Sequence, residues 1–209
     1  MTAPTRMLIV RHGESTWNAV RRWQGQADPP LTERGENQAR RGGAAVGVHG
    51  PFEAVVTSNL QRARRTGELV SEASDVALGD QYVALGERDA GEWEGLTRAQ
   101  IEERDPGYLE AERRPPGYES DESIVERAGR ALREIAQLYP GGSVLIVSHG
   151  GIIHALERAF SDSDKWQRLD NLTGRWFEVD GDSIEPVGER IALVADGGPP
   201  APPPDSGYA

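Results

Sequence analysis

The sequence predicts a layered α/β domain built on a largely parallel sheet. Three times along the chain a short aliphatic or β-branched run is followed by a longer segment with helical periodicity. Each run also ends in a polar cluster, as expected where strands deliver side chains to a ligand site. At 209 residues with 37% apolar content, the chain suffices for one well-buried domain and is short for two independent ones. That domain is expected over residues 1–194, followed by a proline- and glycine-rich tail at 195–209 that lacks apolar periodicity and is expected to be disordered.

Residues 7–10 read as a buried strand running into Arg11-His12-Gly13, and residues 32–48 as a helix opened by Thr32 and rich in alanine, arginine and glutamate. Residues 54–57 form the second strand, which ends at Ser58-Asn59, either of which can cap a helix over about 60–72. In the third unit Ile124, Ala128, Ala131, Leu132, Ile135 and Leu138 share one helical face, and Pro140-Gly141-Gly142 stops that helix. Residues 144–147 then read as a central strand entering Ser148-His149-Gly150-Gly151, with a further helix at 152–160. Asp180-Gly181 between residues 176–179 and 184–187 predicts a hairpin, because that pair supplies a tight turn. The polar stretch 108–122 predicts an irregular surface excursion of the kind that forms lids.

Composition narrows the function. A formal charge of −11 and a sequence pI near 4.9 argue against nonspecific binding to nucleic acid or anionic membranes, since the long-range field repels polyanions. With no cysteine, a disulfide framework, a thiol nucleophile and a thiolate metal site are all excluded. No apolar run reaches the length of a signal-peptide core or a membrane span. A soluble, cytoplasmic protein is expected, with its oligomeric state left open, a homodimer among the alternatives.

Against that acidic background, His12 and His149 follow two predicted strands, Arg11 adjoins His12, and Arg62 lies in the first helical turn after a third. If those strands are neighbours, two imidazoles and two guanidiniums converge on a point that attracts a phosphate dianion. A neutral imidazole is a competent nucleophile toward phosphorus, so His12 is the candidate nucleophile. Arg11 and Arg62 present planar forks to phosphoryl oxygens. His149, at the start of a helix with the Gly150 backbone beside it, is expected to contact phosphate. An alkoxide leaving group also needs an acid on the opposite side, and Glu87, after Ala84-Leu85-Gly86 at the end of a short strand, is the candidate. The charge of a bound phosphate disfavours a second anion beside it and keeps that acid protonated, and Trp93 is expected to wall the site against water. His49 and His154 have ordinary structural readings at a helix end and inside a helix.

These residues resemble the histidine phosphatases, the phosphoglycerate-mutase-like superfamily, over residues 7 to about 194. The most specific segment is Leu8-Ile9-Val10-Arg11-His12-Gly13-Glu14-Ser15-Thr16-Trp17-Asn18, similar to the family signature around its phosphorylated histidine. Gln24-Gly25-Gln26-Ala27-Asp28 resembles the segment that follows it, Thr57-Ser58-Asn59-Leu60-Gln61-Arg62-Ala63 the one carrying the second phosphate-binding arginine, and Val147-Ser148-His149-Gly150-Gly151 the one with the second histidine. The resemblance implies a three-layer α/β/α sandwich with a mostly parallel sheet, a phosphohistidine intermediate, Asn18, Gln24 and the Gly150 backbone as substrate contacts, and no metal or organic cofactor.

Mutases of the superfamily share the first segment. The run Gly91-Glu92-Trp93-Glu94-Gly95-Leu96-Thr97 resembles the phosphatase branch instead, and the stretch between Glu87 and His149 is short for the insertion that shields a mutase's phosphoenzyme from water. Hydrolysis of a small phosphorylated metabolite is therefore expected, with phosphoglycerate mutase activity, or a noncatalytic phospho-ligand binding module, as the alternatives. Arg21, Arg22 and Trp23, with Arg113, Arg114 and Tyr118 from the excursion, are candidates to meet the rest of the substrate.

Overall fold

The computed structural model describes residues 3–160 and 168–194; the predicted tail lies outside them. The elements, in order, are β1 (Thr5–Arg11), α1 (Thr16–Ala19), α2 (Glu33–Val46), β2 (Ala54–Ser58), α3 (Gln61–Ser74), β3 (Leu78–Tyr82), α4 (Arg98–Arg104), α5 (Asp121–Leu138), β4 (Ser143–Ser148), α6 (Gly150–Phe160), β5 (Thr173–Asp180) and β6 (Ser183–Ala192). One six-stranded sheet runs β3-β2-β4-β1-β5-β6. Strands β3, β2, β4 and β1 pair in parallel, whereas β5 and β6 form the predicted hairpin and add antiparallel to the β1 edge.

The central strands are aliphatic because both of their faces are covered. On one face Met7, Ile9, Ala54, Val56, Val144 and Ile146 pack against α5 and α6. On the other, Leu8, Val10, Val55, Leu145 and Val147 pack against α2 and α3. The result is the three-layer sandwich, in which each fully buried leucine or isoleucine contributes about 1.5–3 kcal/mol. Helix α5 is the clearest amphipathic case: Ser120 accepts from the Ser123 amide to open it, and Ile124, Ala128, Ala131, Leu132 and Ile135 are buried. Leu138, expected on that face, is 59% exposed; in the same last turn Ala136 and Tyr139 pack against the core instead.

Two further local expectations are corrected. Neither Ser58 nor Asn59 caps α3: Leu60 occupies the cap position with no side-chain bond, and Asp28 Oδ1 accepts from the Gln61 amide at 2.7 Å instead. Glu87 does not follow a strand end, because β3 stops at Tyr82 and a 3₁₀ turn at Val83–Leu85 intervenes. Gly67 sets how close α3 lies to β2; a Cβ there would collide with Thr57. That close approach brings Arg62, one turn earlier, over the strand ends.

Candidate active site

Strand β4 lies between β1 and β2, with Arg11 opposite Ser148 and Thr57 opposite Val147. The three carboxyl ends are therefore neighbours, and they carry His12, His149 and Ser58 to one place. The rings of His12 and His149 meet edge to face with centroids 5.2 Å apart. Arg62 reaches the same point from α3 and is fully buried. Its Nε donates to His12 Nε2 at 3.2 Å, while its terminal nitrogens donate to the Ala27 and Gly25 carbonyls at 2.7 and 3.1 Å. Arg11, also buried, is held by the Leu169 carbonyl at 2.6 Å.

Hydrogen bonds assign the His12 tautomer. Nδ1–H donates to the Gly13 carbonyl at 2.6 Å, so Nε2 carries the lone pair that accepts from Arg62. Burial, followed by the charges of Arg62 and Arg11, holds the His12 pKa well below the ordinary histidine range. The ring is neutral at physiological pH. His149 is neutral for similar reasons, burial first and then Arg62. Its Nε2 shares a 2.9 Å hydrogen bond with Ser58 Oγ, and its Nδ1 is buried with no hydrogen-bond partner among the described residues. Burial lowers the Arg62 pKa to about 10 against the raising influence of Glu87 and Asp28, which leaves the guanidinium charged.

Glu87 faces these cations from the other side and is half-buried. Its carboxylate accepts from the Arg88 amide at 2.7 Å and from the Gly151 amide at 3.3 Å, and its charge acts on both Arg11 and Arg62. Gly151 has to be glycine for this contact, since a Cβ would overlap Glu87 Oε1. Gly150 opens α6 immediately after His149.

Above this floor lies an open cleft, lined among others by Arg11, Gln24, Glu87, Gly150 and Gly151. Asn18 is not part of its lining: it is buried in a capping box with Ser15 and accepts from Asn171 Nδ2 at 3.5 Å. Gln24 lines the cleft with its side-chain oxygen accepting from Ser15 Oγ at 2.6 Å. The five residues expected to act on the phosphoryl and leaving groups are thus brought together; His12, Arg62 and His149, like Asn18, lie beneath the cleft lining, and Asn171 Nδ2, which donates to Asn18, also donates to the His12 carbonyl.

At the mouth, Arg22, Trp23 and Tyr118 line the cleft, with His154, Arg88 and Leu169. Arg21 is exposed outside it, Arg113 stacks on Tyr108, and Arg114 lies over Tyr118 and Trp93. Trp93 is not itself a wall; fully buried, it backs Trp23 in an edge-to-face contact at 5.3 Å. Three residues escaped the sequence reading. Ser58, a candidate helix cap, instead shares its hydroxyl with His149 Nε2. Asn171, which donates to the His12 carbonyl at 2.8 Å, follows no sequence pattern. His154 lines the cleft with Nδ1 3.2 Å from Arg190 and a pKa lowered to about 3 by burial and then by Arg190; only its i+4 spacing from Gly150, one turn into α6, could have signalled that position. Among the described residues no group of three or more histidine, cysteine or acidic side chains could hold a metal ion, and no helix is long and apolar enough to cross a membrane.

Comparison with known proteins follows the same lines. A model of the histidine phosphatase superfamily (branch 1) matches residues 7–192. The chain is 38% identical over 160 residues to an uncharacterized phosphatase, PhoE, of Bacillus subtilis, covering 77% of this chain and 79% of that one. It is 35% identical over 209 residues to a probable phosphoglycerate mutase, GpmB, of Salmonella paratyphi C, covering 90% and 95%. A longer Mycobacterium tuberculosis relative, described as a bifunctional protein, is matched over 45% of its length. Among solved structures, mycobacterial glucosyl-3-phosphoglycerate phosphatase superposes with a TM-score of 0.74 at 28% identity, over 87% of this chain and 96% of that one.

Proposed function

From the premise that this chain belongs to the histidine phosphatase superfamily, we propose that it hydrolyses a small phosphomonoester through a phosphohistidine on His12. The observation that carries this reading is the fixed tautomer of His12: a neutral ring whose Nε2 lone pair points among two buried guanidiniums and a second imidazole. In the first step Nε2 attacks phosphorus, the P–N bond forms and the ester P–O bond breaks. Positive charge grows on the ring as the lone pair is shared, and the Gly13 carbonyl accepts the Nδ1–H that bears it. Arg62 then moves its Nε donor from His12 onto a phosphoryl oxygen, and Arg11 and His149 Nδ1 supply donors to the others. Glu87, across from His12, gives its proton to the departing alkoxide. In the second step it takes a proton from water as that water attacks the phosphohistidine, releasing phosphate and restoring neutral His12.

No metal or organic cofactor enters these steps. The substrate's remaining portion meets Arg22, Trp23 and Tyr118 at the mouth, which suits a polar metabolite with a face for aromatic contact. The catalytic domain occupies residues 1–194, and the location is cytoplasmic.

Phosphoglycerate mutase activity is the second reading, favoured by the similarity to GpmB along nearly the whole chain. Incubation with 3-phosphoglycerate, with and without its bisphosphorylated primer, alongside a panel of other monoesters separates the two. The phosphatase reading expects release of inorganic phosphate from at least one ester without primer. Rapid isomerisation with negligible phosphate release across the panel would overturn it.

A further inference from the structure

We infer that Arg127 and Glu119 form a charge-neutral clamp that positions the Glu87 proton donor, an inference that rests on the acid role proposed above for Glu87. The segment presenting Glu87 emerges from a 3₁₀ turn instead of a strand, so no sheet ladder fixes it. Side chains hold it instead. Arg127, on α5, donates through one terminal nitrogen to the Ala84 and Gly86 carbonyls at 2.7 and 2.9 Å, and through the other to the Glu87 carbonyl at 3.1 Å. The remaining carbonyl of the turn, Leu85, accepts from Ser148 Oγ at 2.8 Å. Four consecutive carbonyls are thereby engaged by side-chain donors, three of them by one guanidinium.

An arginine suits this geometry because its planar fork spans several acceptors at once, which an ammonium on a flexible stem does not. A bare guanidinium beside Glu87 would, however, favour the carboxylate over the acid the reaction needs. Glu119 cancels that charge: its two oxygens accept from Arg127 Nε and from a terminal nitrogen at 2.7 and 2.8 Å. Burial pushes the Glu119 carboxyl up, but its bonds and charge pairing with Arg127 outweigh this and hold it below the ordinary range. Arg127 and Glu119 are thus an ion pair, so the clamp adds little net charge of its own beside the acid. Glu119 also accepts from the Asp89 amide at 3.2 Å and donates its own amide to the Asp89 carbonyl at 3.0 Å. The clamp therefore joins the proton-donor turn to the segment that carries Tyr118 into the mouth.

Arg127 is a positioning residue, and its effect should depend on whether the leaving group needs a proton. The test uses benzyl phosphate, whose alkoxide must be protonated as it departs, and p-nitrophenyl phosphate, whose phenolate leaves without one. The ratio of their kcat/KM values in a single sample is independent of the fraction of folded protein. General acids contribute roughly 10²–10⁴-fold, so Glu87→Gln is expected to lower the benzyl-to-nitrophenyl ratio by about 100-fold and Arg127→Met by about tenfold. Arg127→Lys should fall between Arg127→Met and the wild type. If Arg127→Met leaves the ratio unchanged while Glu87→Gln lowers it, the clamp is wrong and the acid assignment stands. An unchanged ratio in Glu87→Gln overturns the acid assignment itself, and the clamp with it.

Discussion

The floor of the cleft and its mouth are assembled by different means. The floor comes from the carboxyl ends of three adjacent parallel strands, so His12, His149 and Ser58 are placed by the register of the sheet, and Arg62 by a helix packed against it. The mouth comes from loops that meet through short bridges, Arg22 with Thr97 and Ala90 with Tyr118. Backbone bonds between Trp23 and the Gly95 and Leu96 segment reinforce it, at 2.8 and 2.9 Å. A register set by the buried central strands β1, β2 and β4 tolerates little change, whereas loops accept substitution without disturbing the core. The difference teaches that, on the proposed mechanism, the phosphoryl chemistry would belong to the fold, and the choice of leaving group to the loops laid over it.

The strongest way to break that division is to remove the proposed nucleophile. His12→Ala should lower phosphate release by roughly 10³-fold or more, as loss of a nucleophile does elsewhere, with binding of inorganic phosphate by Arg11 and Arg62 surviving. Turnover within a few-fold of wild type on several esters would mean that the floor does not carry the reaction.

The histidines of the floor and the mouth together make a thermodynamic prediction. His12, His149 and His154 are all held neutral, with folded-state pKa values below the ordinary one, His154 at about 3. The unfolded chain therefore binds more protons than the folded one as pH falls below about 6.5, the unfolded histidine value. Stability contributed by these three groups is fully present above that pH and is lost as pH drops toward the folded values. Each contributes up to about 1.4 kcal/mol per pH unit inside that window. Urea unfolding at pH 7.5 and 5.5 measures the loss, and His154→Phe should shrink it. Equal stability at both values would contradict neutral histidines at these three positions.

How much of this was legible in the sequence follows the same boundary. Strands β1, β2 and β4 are fully buried, so their aliphatic runs stand out, and the residues just after them, His12 and His149, are found by position alone. Arg62 is different: Arg64 and Arg65 lie on the same helix, and only the resemblance of its segment to a known one singled it out. Leu138 departs from its predicted face because periodicity does not record which residues of the last turn meet the core: there Ala136 and Tyr139 do. Arg127 and Asn171 were invisible, since an arginine on an amphipathic helix reads as a solvated charge and a lone asparagine in a loop has no periodicity. Their partners lie 40 residues away, at Glu87, and 159 residues away, at His12, and nothing local announces contacts of that range.

A gentler substitution sharpens the comparison from the other side. Trp23 packs edge to face on Trp93 and tilts against Tyr118 with centroids 6.3 Å apart, so its ring is a fixed surface at the mouth. An aromatic contact of this kind contributes about 0.5–1.5 kcal/mol beyond its buried area, which corresponds to a loss of up to roughly tenfold. Trp23→Leu should therefore reorder kcat/KM across a panel of esters, with the largest losses for leaving groups that reach the ring. A uniform decrease on every ester, small ones included, would assign Trp23 to the floor's stability instead.

The smallest expected effect concerns residues in neither region. Leu193 and Val194 are buried, and the Leu193 amide donates to the Leu172 carbonyl at 2.9 Å. Leu172 in turn donates its amide to the Arg11 carbonyl at 2.9 Å, one residue from the nucleophile. A chain ending after Val194 keeps both bonds, so removing residues 195–209 should leave kcat/KM and the unfolding midpoint unchanged. A chain ending after Ala192 loses the Leu193 bond and two buried side chains, which costs on the order of 3 kcal/mol, and should unfold at lower urea. If the shorter truncation, stopping at Val194, by itself impaired turnover, the floor and the mouth would not be the whole site, because residues with no place in either would be contributing to the reaction.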